Sequence, residues 1–493
     1  MKKWLKRLGL ILALPAVLAL GLGLWLGFRY VTYSQEANEI HLAKKETYLK
    51  SVEELQSVGE LGAGKARPNI VFILYDDLGY GDLGFTGNQA IDTPAIDRLA
   101  EQGVVLTNFY SPSAACTPSR AGFLTGRYPP RAGLPDVIYP SGSFNSTALK
   151  IRGTNHRLPA EEITISEVLK ASGYRTGMVG KWHLGDRAPS LPNNFGFDAF
   201  FGALYSNDMK PFALYRNDKI VEAAPYDQRN LDARYTSEAV DFIENNANGE
   251  NPFFLYFAHN FPHIPLFVAP ERTGASDGGT YGDVVEAMDA GVEQIVGALE
   301  QQGILDDTII IISSDNGPWY QGSAGPFRGR KGQTWEGGMH VPFLIHWPSN
   351  IEGGRTVDGM SMGIDLLPTL VDWLDLPLPE DRIIDGKSIR SMLEASDPSP
   401  HDYLYNFAGE NIKTVRSDRY KYHGVRFHAA QLHEGNRATT RRKSPWLIDL
   451  SVDNNESYDV SSKYPEVAEL MQGKLVEKRE EFRTNKRGWI VSE

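Results

Sequence analysis

The chain has 493 residues, enough for one large domain and a smaller one, and its composition is that of an ordinary globular protein. Its formal net charge of −12 disfavours a nucleic-acid-binding function, because binding to phosphates requires a basic surface. The single cysteine, Cys116, excludes an intrachain disulfide framework and a zinc cluster built from thiolates.

The first 29 residues have the pattern of a membrane anchor. Basic residues within positions 1–7 precede an uncharged apolar run over 8–28, which is about as long as a bilayer core is thick. We predict a signal anchor over 1–29 that leaves the rest of the chain membrane-anchored and extracytoplasmic. A long cleaved signal peptide is the alternative. The polar residues 30–66 are predicted to form a stalk or linker.

Residues 68–75 form a continuous apolar run rich in β-branched residues, which predicts a parallel strand buried on both faces of an α/β sheet. Asp76 and Asp77 follow at its carboxyl end, where open α/β sheets bind their ligands. Both carboxylates can reach one ion only if the chain turns there, which Gly79 and Gly81 allow. A solvated turn is the alternative interpretation of this pair.

Three later segments repeat the arrangement of a buried strand followed by polar residues. The predicted strands cover residues 174–179, 252–258 and 308–314. The polar residues after them are Lys181 and His183, His259 and His263, and Asp315 and Asn316. Because the ends of parallel strands lie at one edge of a sheet, we expect these residues to converge with Asp76 and Asp77. For the first pair alone, a surface lysine and a core histidine are the alternative.

Cys116 lies in the stretch 115–127, where Pro118 and the helix formers after it predict a helix that begins just beyond the cysteine. Cys116 would then lie at the partial positive charge of a helix N-terminus, which favours an anionic ligand. Arg120 is four residues further on and projects from the same face. The alternative is a cysteine that acts only as a small buried apolar residue.

The sequence Cys-Thr-Pro-Ser-Arg that starts at Cys116, followed by Ala-Gly-Phe-Leu-Thr-Gly-Arg, resembles the signature of the cysteine-type sulfatases, close to the arylsulfatase A-like group. The resemblance extends over residues 68–374, with further motifs in the family's order. It implies the α/β fold of the alkaline phosphatase superfamily, with a large mixed, mostly parallel sheet sandwiched by helices. It also implies that a converting enzyme oxidises Cys116 to formylglycine.

The resemblance implies a metal site beside this cysteine. Its ligands would come from Asp76, Asp77, Asp315 and Asn316, with position 116 completing the set. These four side chains offer only oxygen ligands, which suit a hard divalent cation such as Ca²⁺ or Mg²⁺ better than zinc. Calcium is the expectation of the family, with Mg²⁺ as the alternative.

The resemblance also implies catalytic roles for the remaining polar residues. Lys331, in a glycine-rich loop, matches the lysine that contacts sulfate. Arg120 and Lys181 would hold the modified side chain, and Asp315 would assist the attacking hydroxyl. The pattern His-x-Pro points to His263 as the acid for the departing alcohol, while His183 would take the proton that triggers sulfate release. His259 is left as a neighbour or a structural histidine.

The predicted function is hydrolysis of an aryl or carbohydrate sulfate ester to an alcohol and inorganic sulfate. An aldehyde hydrate suits this reaction better than a thiol, since one oxygen attacks sulfur and deprotonation of the second releases sulfate. Two alternatives stay open. One is a phosphonate or phosphate ester hydrolase of the same superfamily, and the other is a non-catalytic surface protein that binds sulfated glycans.

The chain is predicted to divide into a catalytic domain over residues 67–396 and a small α+β subdomain over 397–493, with short antiparallel strands and a final helix. Residues 133–155 are expected to be an irregular loop that shapes access to the site. The basic run 437–443 is either a solvated loop or a handle for an anionic polymer. At His340 the family more often has arginine, and we expect a structural role there.

Overall fold

The computed structural model describes residues 18–57, 67–433, 436–442 and 445–490, with the backbone alone described over 426–442. A ten-stranded sheet lies at its centre. In order across the sheet its strands are β11 (Arg355–Val357), β2 (Val104–Leu106), β10 (Phe343–His346), β9 (Thr308–Ser314), β1 (Asn69–Tyr75), β8 (Phe253–Ala258), β4 (Arg175–Lys181), β5 (Ala199–Ala203), β6 (Leu214–Arg216) and β7 (Lys219–Glu222).

The middle of this sheet is parallel and its flanks are mixed. Strands β9, β1, β8, β4 and β5 run in one direction, whereas β10, β6 and β7 pair antiparallel with their neighbours. The central strands are buried along almost their whole length, as their continuous apolar runs predict. The predicted large, mixed and mostly parallel sheet is confirmed.

Helices cover both faces of the sheet, and side chains along β1 alternate between two cores. Ile70, Phe72 and Leu74 pack with α4 (Cys116–Thr125), α6 (Ile165–Ala171) and α10 (Leu366–Trp373). Val71 and Ile73 pack on the other face with α3 (Pro94–Gln102), α7 (Leu231–Asn246) and α8 (Gly279–Gln301). The remaining helices of this part are α5 (Phe144–Arg152), α9 (Glu336–Met339) and α11 (Arg390–Ala395).

The C-terminal part adds a second, antiparallel sheet. Its strands are β13 (Leu404–Ala408), β14 (Asn411–Arg416), β15 (Tyr420–His423) and β18 (Trp446–Asp449), and α12 (Pro465–Thr484) packs on it. Two small pairs complete the strands, β3 (Phe109–Tyr110) with β12 (Ser361–Met362), and β16 (Arg426–His433) with β17 (Asn436–Arg442). The basic run 437–443 thus falls mostly on β17, where the side chains are not described, and residue 443 lies outside the described residues.

Short 3₁₀ helices connect these elements at Tyr80–Asp82, Gly84–Thr86, Pro192–Phe195, Gln228–Asn230, Pro270–Arg272 and Gly363–Asp365. The stretch 133–155, expected to be irregular throughout, contains α5. The expectation was wrong there because Ser143 caps this helix, accepting a hydrogen bond from the backbone N–H of Ser146, and Gly153 ends it in the left-handed region.

Before the first strand, residues 18–32 are helical (α1) and α2 (Glu39–Ser57) follows. Lys45 in α2 is buried and forms an ion pair with Glu167, with 2.5 Å between Nζ and Oε1. The interval 30–66, predicted to be a stalk, therefore contains a helix that lies against the catalytic domain. The prediction did not include this contact because Lys45 pairs with a residue more than a hundred positions away in the sequence.

The predicted signal anchor over residues 1–29 lies mainly on residues 1–17, outside the described part of the chain. The helical residues 18–32 end close to α5, where the Nε of Arg29 donates to the carbonyl of Ile151 at 3.1 Å. Over the ranges that are described, no helix has both the length and the apolar character required to cross a bilayer.

The register of the sheet brings the ends of three strands level. Leu74 of β1 lies between Ala258 of β8 and Ser313 of β9. Just past these positions, the N–H of Asp315 donates to the carbonyl of Tyr75 at 2.9 Å, and the N–H of His259 donates to that of Leu74 at 2.9 Å. The residues that follow the three strands consequently leave the sheet side by side.

Candidate active site

The polar residues that follow the central strands meet at one edge of the sheet, as their positions in the sequence predict. Lys181, at the end of β4, pairs through its Nζ with a carboxylate oxygen of Asp76. The backbone N–H of Asp77 donates to Oδ1 of Asp315 at 3.3 Å, and Nδ2 of Asn316 donates to Oδ1 of Asp77 at 2.8 Å. All five residues are buried.

Asp77 adopts a backbone conformation that is unusual for a residue with a side chain. Its φ is 68°, in the left-handed region. This turn stops the side chains of Asp76 and Asp77 from diverging as neighbours in a strand do, so both carboxylates reach the same space. The predicted turn thus occurs at Asp77 itself. Gly79 is required for another reason, since a Cβ there would lie 2.1 Å from the carbonyl oxygen of Ser323.

Helix α4 packs on one face of the sheet and places Cys116 and Arg120 at this edge. It begins at Cys116, two residues before Pro118, with Ala115 as its extended N-cap. Cys116 therefore lies in the first turn instead of just before it. Arg120, one turn later, is fully buried, and its Nε donates to Oδ2 of Asp315 at 2.8 Å.

Cys116 is surrounded by charged groups. Its Sγ donates to Oδ1 of Asp76 at 3.1 Å and accepts from Nζ of Lys331 at 3.1 Å. Burial and the nearby charge of Asp315 raise the pKa of the Cys116 thiol well above its usual range. An unmodified cysteine here is consequently a protonated thiol, which is a weak nucleophile.

The three aspartates crowd negative charge into a small buried volume. Ligand atoms of Asp76, Asp77, Asp315 and Cys116 all lie within 4.8 Å of one another. Burial alone would raise the pKa of Asp76, but Lys181 and other nearby cationic groups hold it well below its usual range. Burial and the charge of Asp76 then raise the pKa of Asp315 to about 7.

These residues fit a hard divalent cation. Oδ2 of Asp77 and Oδ1 of Asn316 are buried and have no hydrogen-bond partner within the described part of the chain. Buried oxygen atoms of this kind normally have a partner, and a cation that takes oxygen ligands would provide it. The donor set consists of three carboxylates and one amide oxygen. Ca²⁺ and Mg²⁺ prefer oxygen ligands of this kind and need no thiolate.

Lys331 enters the site from the loop before α9. Its Nζ lies 2.6 Å from Oδ1 of Asp77. Burial would lower the pKa of Lys331, but the charge of Asp77 outweighs this and raises it well above its usual range, so Lys331 is cationic. The neighbouring arginines face elsewhere: Nη1 of Arg328 donates to the carbonyl of Glu456, and Nη1 of Arg330 to that of Trp319.

The two histidines after β8 differ in their surroundings. Both ring nitrogens of His259 are engaged, because Nδ1 accepts from the N–H of Phe261 at 2.9 Å and Nε2 lies 3.0 Å from Oδ1 of Asp232. His263 directs Nδ1 to Oδ1 of Asn207 at 3.1 Å, while its Nε2 lies 3.7 Å from Oδ2 of Asp77. The structure therefore gives His259 a structural place and puts His263 at the site.

His183 reaches the site through a backbone turn that follows β4. Its φ is 60°, and its Nε2 donates to the carbonyl of Ile138 at 3.1 Å. Its buried Nδ1 has no hydrogen-bond partner among the described residues. Burial, together with the charges of Lys181 and Arg120, lowers the pKa of His183 well below its usual range, so the ring is neutral.

Asp82 is a buried residue of this region that the sequence interpretation did not use. One carboxylate oxygen accepts from the N–H of Gly79 at 2.6 Å and from the hydroxyl of Tyr281 at 2.6 Å. The other accepts from the N–H of Ser323 at 2.7 Å. Asp82 thereby joins the turn that carries Asp77, helix α8 and the loop that leads to Lys331. The sequence feature that could have identified Asp82 is an acidic residue directly after the glycines at positions 79 and 81.

His340 occupies a structural position, as expected. Its ring stacks on Phe327 with 4.2 Å between centroids, and its Nε2 donates to the carbonyl of Thr107 at 2.6 Å. It lies at the end of α9 and does not line the cavity described next.

A cavity of about 320 Å³ opens over these residues. Asp77, Cys116, His183, His263 and Lys331 line its inner end. Its remaining walls combine small, apolar and aromatic side chains with Ser206 and Asp208. An apolar pocket with a few convergent polar groups is the usual form of a small-molecule site. The geometry suits an anionic group held between Lys331, the histidines and a cation.

Two family models match this chain. The one described as Sulfatase matches residues 68–376, and the one described as N-sulphoglucosamine sulphohydrolase, C-terminal, matches residues 328–481. Human (Homo sapiens) arylsulfatase A is 36% identical over 461 residues, covering 83% of this chain and 88% of the relative. N-acetylgalactosamine-6-sulfatase of Mus musculus is 36% identical over 391 residues, covering 75% of this chain and 74% of the relative.

The fold is likewise shared with a solved sulfatase. The crystal structure of PsFucS1 sulfatase from Pseudoalteromonas sp. superimposes with a TM-score of 0.77 and 27% sequence identity. The match covers 92% of this chain and 95% of that one. Together with the two relatives, this likeness confirms the alkaline-phosphatase-like fold and the resemblance first indicated by the residues around Cys116. The chain belongs to the sulfatase family and is a sulfuric ester hydrolase.

Proposed function

We propose that this sulfatase hydrolyses its ester with a formylglycine made from Cys116 by a converting enzyme, and with a divalent cation bound beside it. One observation carries the proposal: Sγ of Cys116 lies 3.1 Å from both Oδ1 of Asp76 and Nζ of Lys331, at the floor of the cavity. A catalytic group at position 116 would contact the cation ligands and the sulfate-binding lysine at once.

The cation is Ca²⁺, with Mg²⁺ as the alternative. Asp76, Asp77, Asp315 and Asn316 would hold it, with the group at position 116 completing the set. The two buried oxygens without a partner, on Asp77 and Asn316, support this assignment. Ca²⁺ accepts irregular sets of six to eight oxygen ligands, whereas Mg²⁺ requires near-octahedral geometry and usually keeps several waters, so a set built mainly from protein oxygens favours Ca²⁺.

When bound, the two groups supply an oxygen nucleophile and a compact positive charge against the sulfate. The chain's own residues bind and orient the ester. Lys331, whose Nζ lies at the inner end of the cavity, pairs with a sulfate oxygen. Arg120 and Lys181, both fully buried, hold Asp315 and Asp76 in place and help to fix the side chain at position 116.

Two histidines move protons. His263 donates from Nδ1 to the carbonyl of Ile264 at 2.5 Å, so the proton for the departing alcohol would be a second one, at Nε2 on the cavity side, carried by the imidazolium form. His183 is neutral, and its Nδ1 is free to accept the proton whose removal releases sulfate. Asp315 assists the attacking hydroxyl. The acid step therefore requires the imidazolium form of His263, whose pKa burial and the charge of Lys331 lower, whereas His183 acts as a base from its neutral form.

The substrate is an aryl or carbohydrate sulfate ester, with a sulfated glycan included. Support comes from the relatives, since one is named an arylsulfatase and another a sulfatase of a sugar, N-acetylgalactosamine-6-sulfatase. Nucleic acid is not proposed as a partner, because the net charge of −12 disfavours binding to phosphates. A formylglycine-converting enzyme is a required partner.

The chain is proposed to be held at a membrane by its N-terminal segment, with the catalytic domain on the extracytoplasmic side. The basic residues within 1–7 and the uncharged run over 8–28 support an anchor in this orientation. We retain the division into a signal anchor (1–29), a connecting segment (30–66), a catalytic domain (67–396) and a C-terminal subdomain (397–493). Protease accessibility of the domain in intact cells tests the orientation.

Matched aryl esters test the reaction. The purified enzyme is expected to release sulfate from an aryl sulfate with a kcat/KM at least about a hundredfold above that for the same aryl phosphate or phosphonate. A preference for the phosphorus esters would indicate the related hydrolase instead. Binding of the sulfate ester without turnover, together with an unmodified thiol at position 116, would indicate a binding protein.

A further inference from the structure

The outer part of the cavity has a chemistry of its own. Its charged inner end is described above; around its mouth, the lining includes Val137, Tyr139, Met209, Ile264 and Trp319. Apolar and aromatic side chains of this kind pack against the faces of a ring. The part of the substrate that carries the sulfate, its alcohol, must lie among them.

Two polar residues interrupt this apolar wall. Ser206 lines the cavity but is only 1% exposed. Its Oγ has no hydrogen-bond partner among the described residues. A buried hydroxyl without a partner is costly, so its position against an open cavity points to a ligand that supplies one. Asp208, two residues on, is exposed and lines the same cavity.

The mouth offers a negative charge at Asp208, and no lysine or arginine of the described residues lines the cavity there. Asp208 forms no ion pair within the described part of the chain. Histidines aside, the other acidic and basic residues that line the cavity are Asp77 and Lys331, at its inner end. The two arginines nearest Lys331 in sequence are held by carbonyl oxygens elsewhere. A second sulfate or carboxylate on the substrate would meet Asp208 without a partner.

We propose that Ser206 and Asp208 form a subsite that accepts an uncharged, hydroxylated ring and discriminates against a second anionic group. The oxygen atoms of both side chains accept hydrogen bonds from ring hydroxyls, and the Ser206 hydroxyl also donates. The substrate class is therefore a monosulfated neutral sugar rather than a polysulfated chain. This inference rests on the proposed sulfate-ester hydrolysis, and it narrows the substrate of that site.

The test compares a monosulfated sugar with the same sugar bearing one more sulfate on the ring. The ratio of the two kcat/KM values on one preparation is the readout, because it does not depend on the fraction of active enzyme. The wild-type ratio is expected to favour the monosulfated sugar by about tenfold at low ionic strength and to fall as salt is added, since the charges are solvent-accessible.

Substitutions at position 208 change this ratio in a predicted order. Asp208→Asn lowers the preference by about three- to tenfold, and Asp208→Lys reverses it in favour of the disulfated sugar. Asp418→Asn removes another exposed carboxylate, in the turn between β14 and β15 away from the cavity, and serves as the matched control that leaves the ratio unchanged. Ser206→Ala lowers kcat/KM for the monosulfated sugar by about three- to tenfold, the value of one hydrogen bond.

Failure of this inference can be told from failure of the proposed reaction. Calorimetric binding of the two sugars to the Cys116→Ala protein measures the same preference without turnover. If the preference persists in binding to this variant while the wild-type protein hydrolyses no sulfate ester, the reaction is contradicted and the subsite is supported. Equal handling of both sugars, unaffected by residue 208, overturns the subsite even if an aryl sulfate is hydrolysed rapidly.

Discussion

The loop that carries Lys331 contacts two buried clusters of charge. One is the active site. The other, the C-terminal charge cluster, consists of Glu336, Lys421, His423 and Glu456 between the catalytic domain and the antiparallel sheet. Nζ of Lys421 lies 2.8 Å from Oε1 of Glu336 and 3.2 Å from Oε1 of Glu456. The residues of the C-terminal charge cluster and the three aspartates of the active site are almost completely inaccessible to solvent.

The clusters differ in what their polar atoms have left to bind. In the C-terminal charge cluster, every carboxylate oxygen has a partner, since Tyr110, His423 and the N–H of Glu336 complete the set that Lys421 begins. In the active site, one oxygen each of Asp77 and Asn316 and one nitrogen of His183 have none among the described residues. Burial of charge therefore does not mark a catalytic site by itself. Unpartnered polar atoms beside a cavity do.

The largest expected effect comes from removing the group at position 116. Cys116→Ala should lower sulfate release by more than about a thousandfold, the scale of loss when a catalytic nucleophile is removed. The thermal unfolding temperature should change little, because a small side chain is replaced by a smaller one. Sulfate release and calorimetric unfolding on one preparation check both statements. Substantial residual turnover would place the nucleophile elsewhere.

The same kind of change in the C-terminal charge cluster should do the reverse. Lys421→Met leaves Glu336 and Glu456 buried without their shared cation, which is expected to lower the free energy of unfolding by about 3–5 kcal/mol. The kcat/KM of the folded protein should stay within about twofold of wild type. Urea unfolding and steady-state kinetics separate the two effects. Lost activity with unchanged stability would mean that this cluster acts in the reaction.

Removal of the cation should act through the active site and not through the C-terminal charge cluster. Exhaustive treatment with EGTA is expected to lower activity by at least about a hundredfold, because Asp76, Asp77 and Asp315 then repel one another beside the substrate. Returned Ca²⁺ should restore activity and stabilise the fold, by about 2.7 kcal/mol at a hundredfold excess over the Kd. Full activity in protein shown by elemental analysis to hold no divalent metal would contradict the assignment.

A smaller effect is expected at Asp82, which touches neither substrate nor cation. Asp82→Asn replaces an acceptor of three hydrogen bonds with a poorer one, so the Asp77 turn and the Lys331 loop lose their common support. We expect kcat/KM to fall about tenfold, mainly through KM, with a raised Ca²⁺ requirement.

Asp283 provides the matched control for Asp82. It is buried at the start of the same helix, α8, and accepts hydrogen bonds from the backbone N–H groups of Gly274, Ala275 and Ser276, away from the cavity. Asp283→Asn should lose comparable stability without a change in KM or Ca²⁺ requirement. Equal effects of the two variants on KM would show that Asp82 stabilises the fold without a specific role in supporting the active site.

The sheet and the convergence of its strand ends could be predicted because both depend on local patterns. The run from Thr308 to Ser314 predicts a buried strand from its own residues alone, and neighbouring parallel strands end at a common edge of the sheet. The same rule predicts from the sequence alone that Asp76 and Asp315 lie together. The family resemblance then selected His263 over His259.

Other features depend on contacts between distant parts of the chain and could not be read in this way. The left-handed turn at Asp77 is fixed by the hydrogen bonds of Asp315 and Asn316, more than two hundred residues away. The packing of α2 depends on Glu167, and the C-terminal charge cluster depends on Glu456 reaching back to Glu336. Ser206 and Asp208 carry no motif, and only the cavity they line identifies them.

The measurement that tests the account most directly is mass spectrometry of the peptide that contains residue 116, from protein purified from its native host. We expect a residue that has lost sulfur and two hydrogens and gained one oxygen relative to cysteine, as formylglycine requires. The aldehyde should also react with a hydrazide probe. An intact thiol at this position in protein that hydrolyses sulfate esters at full rate would contradict the proposed chemistry.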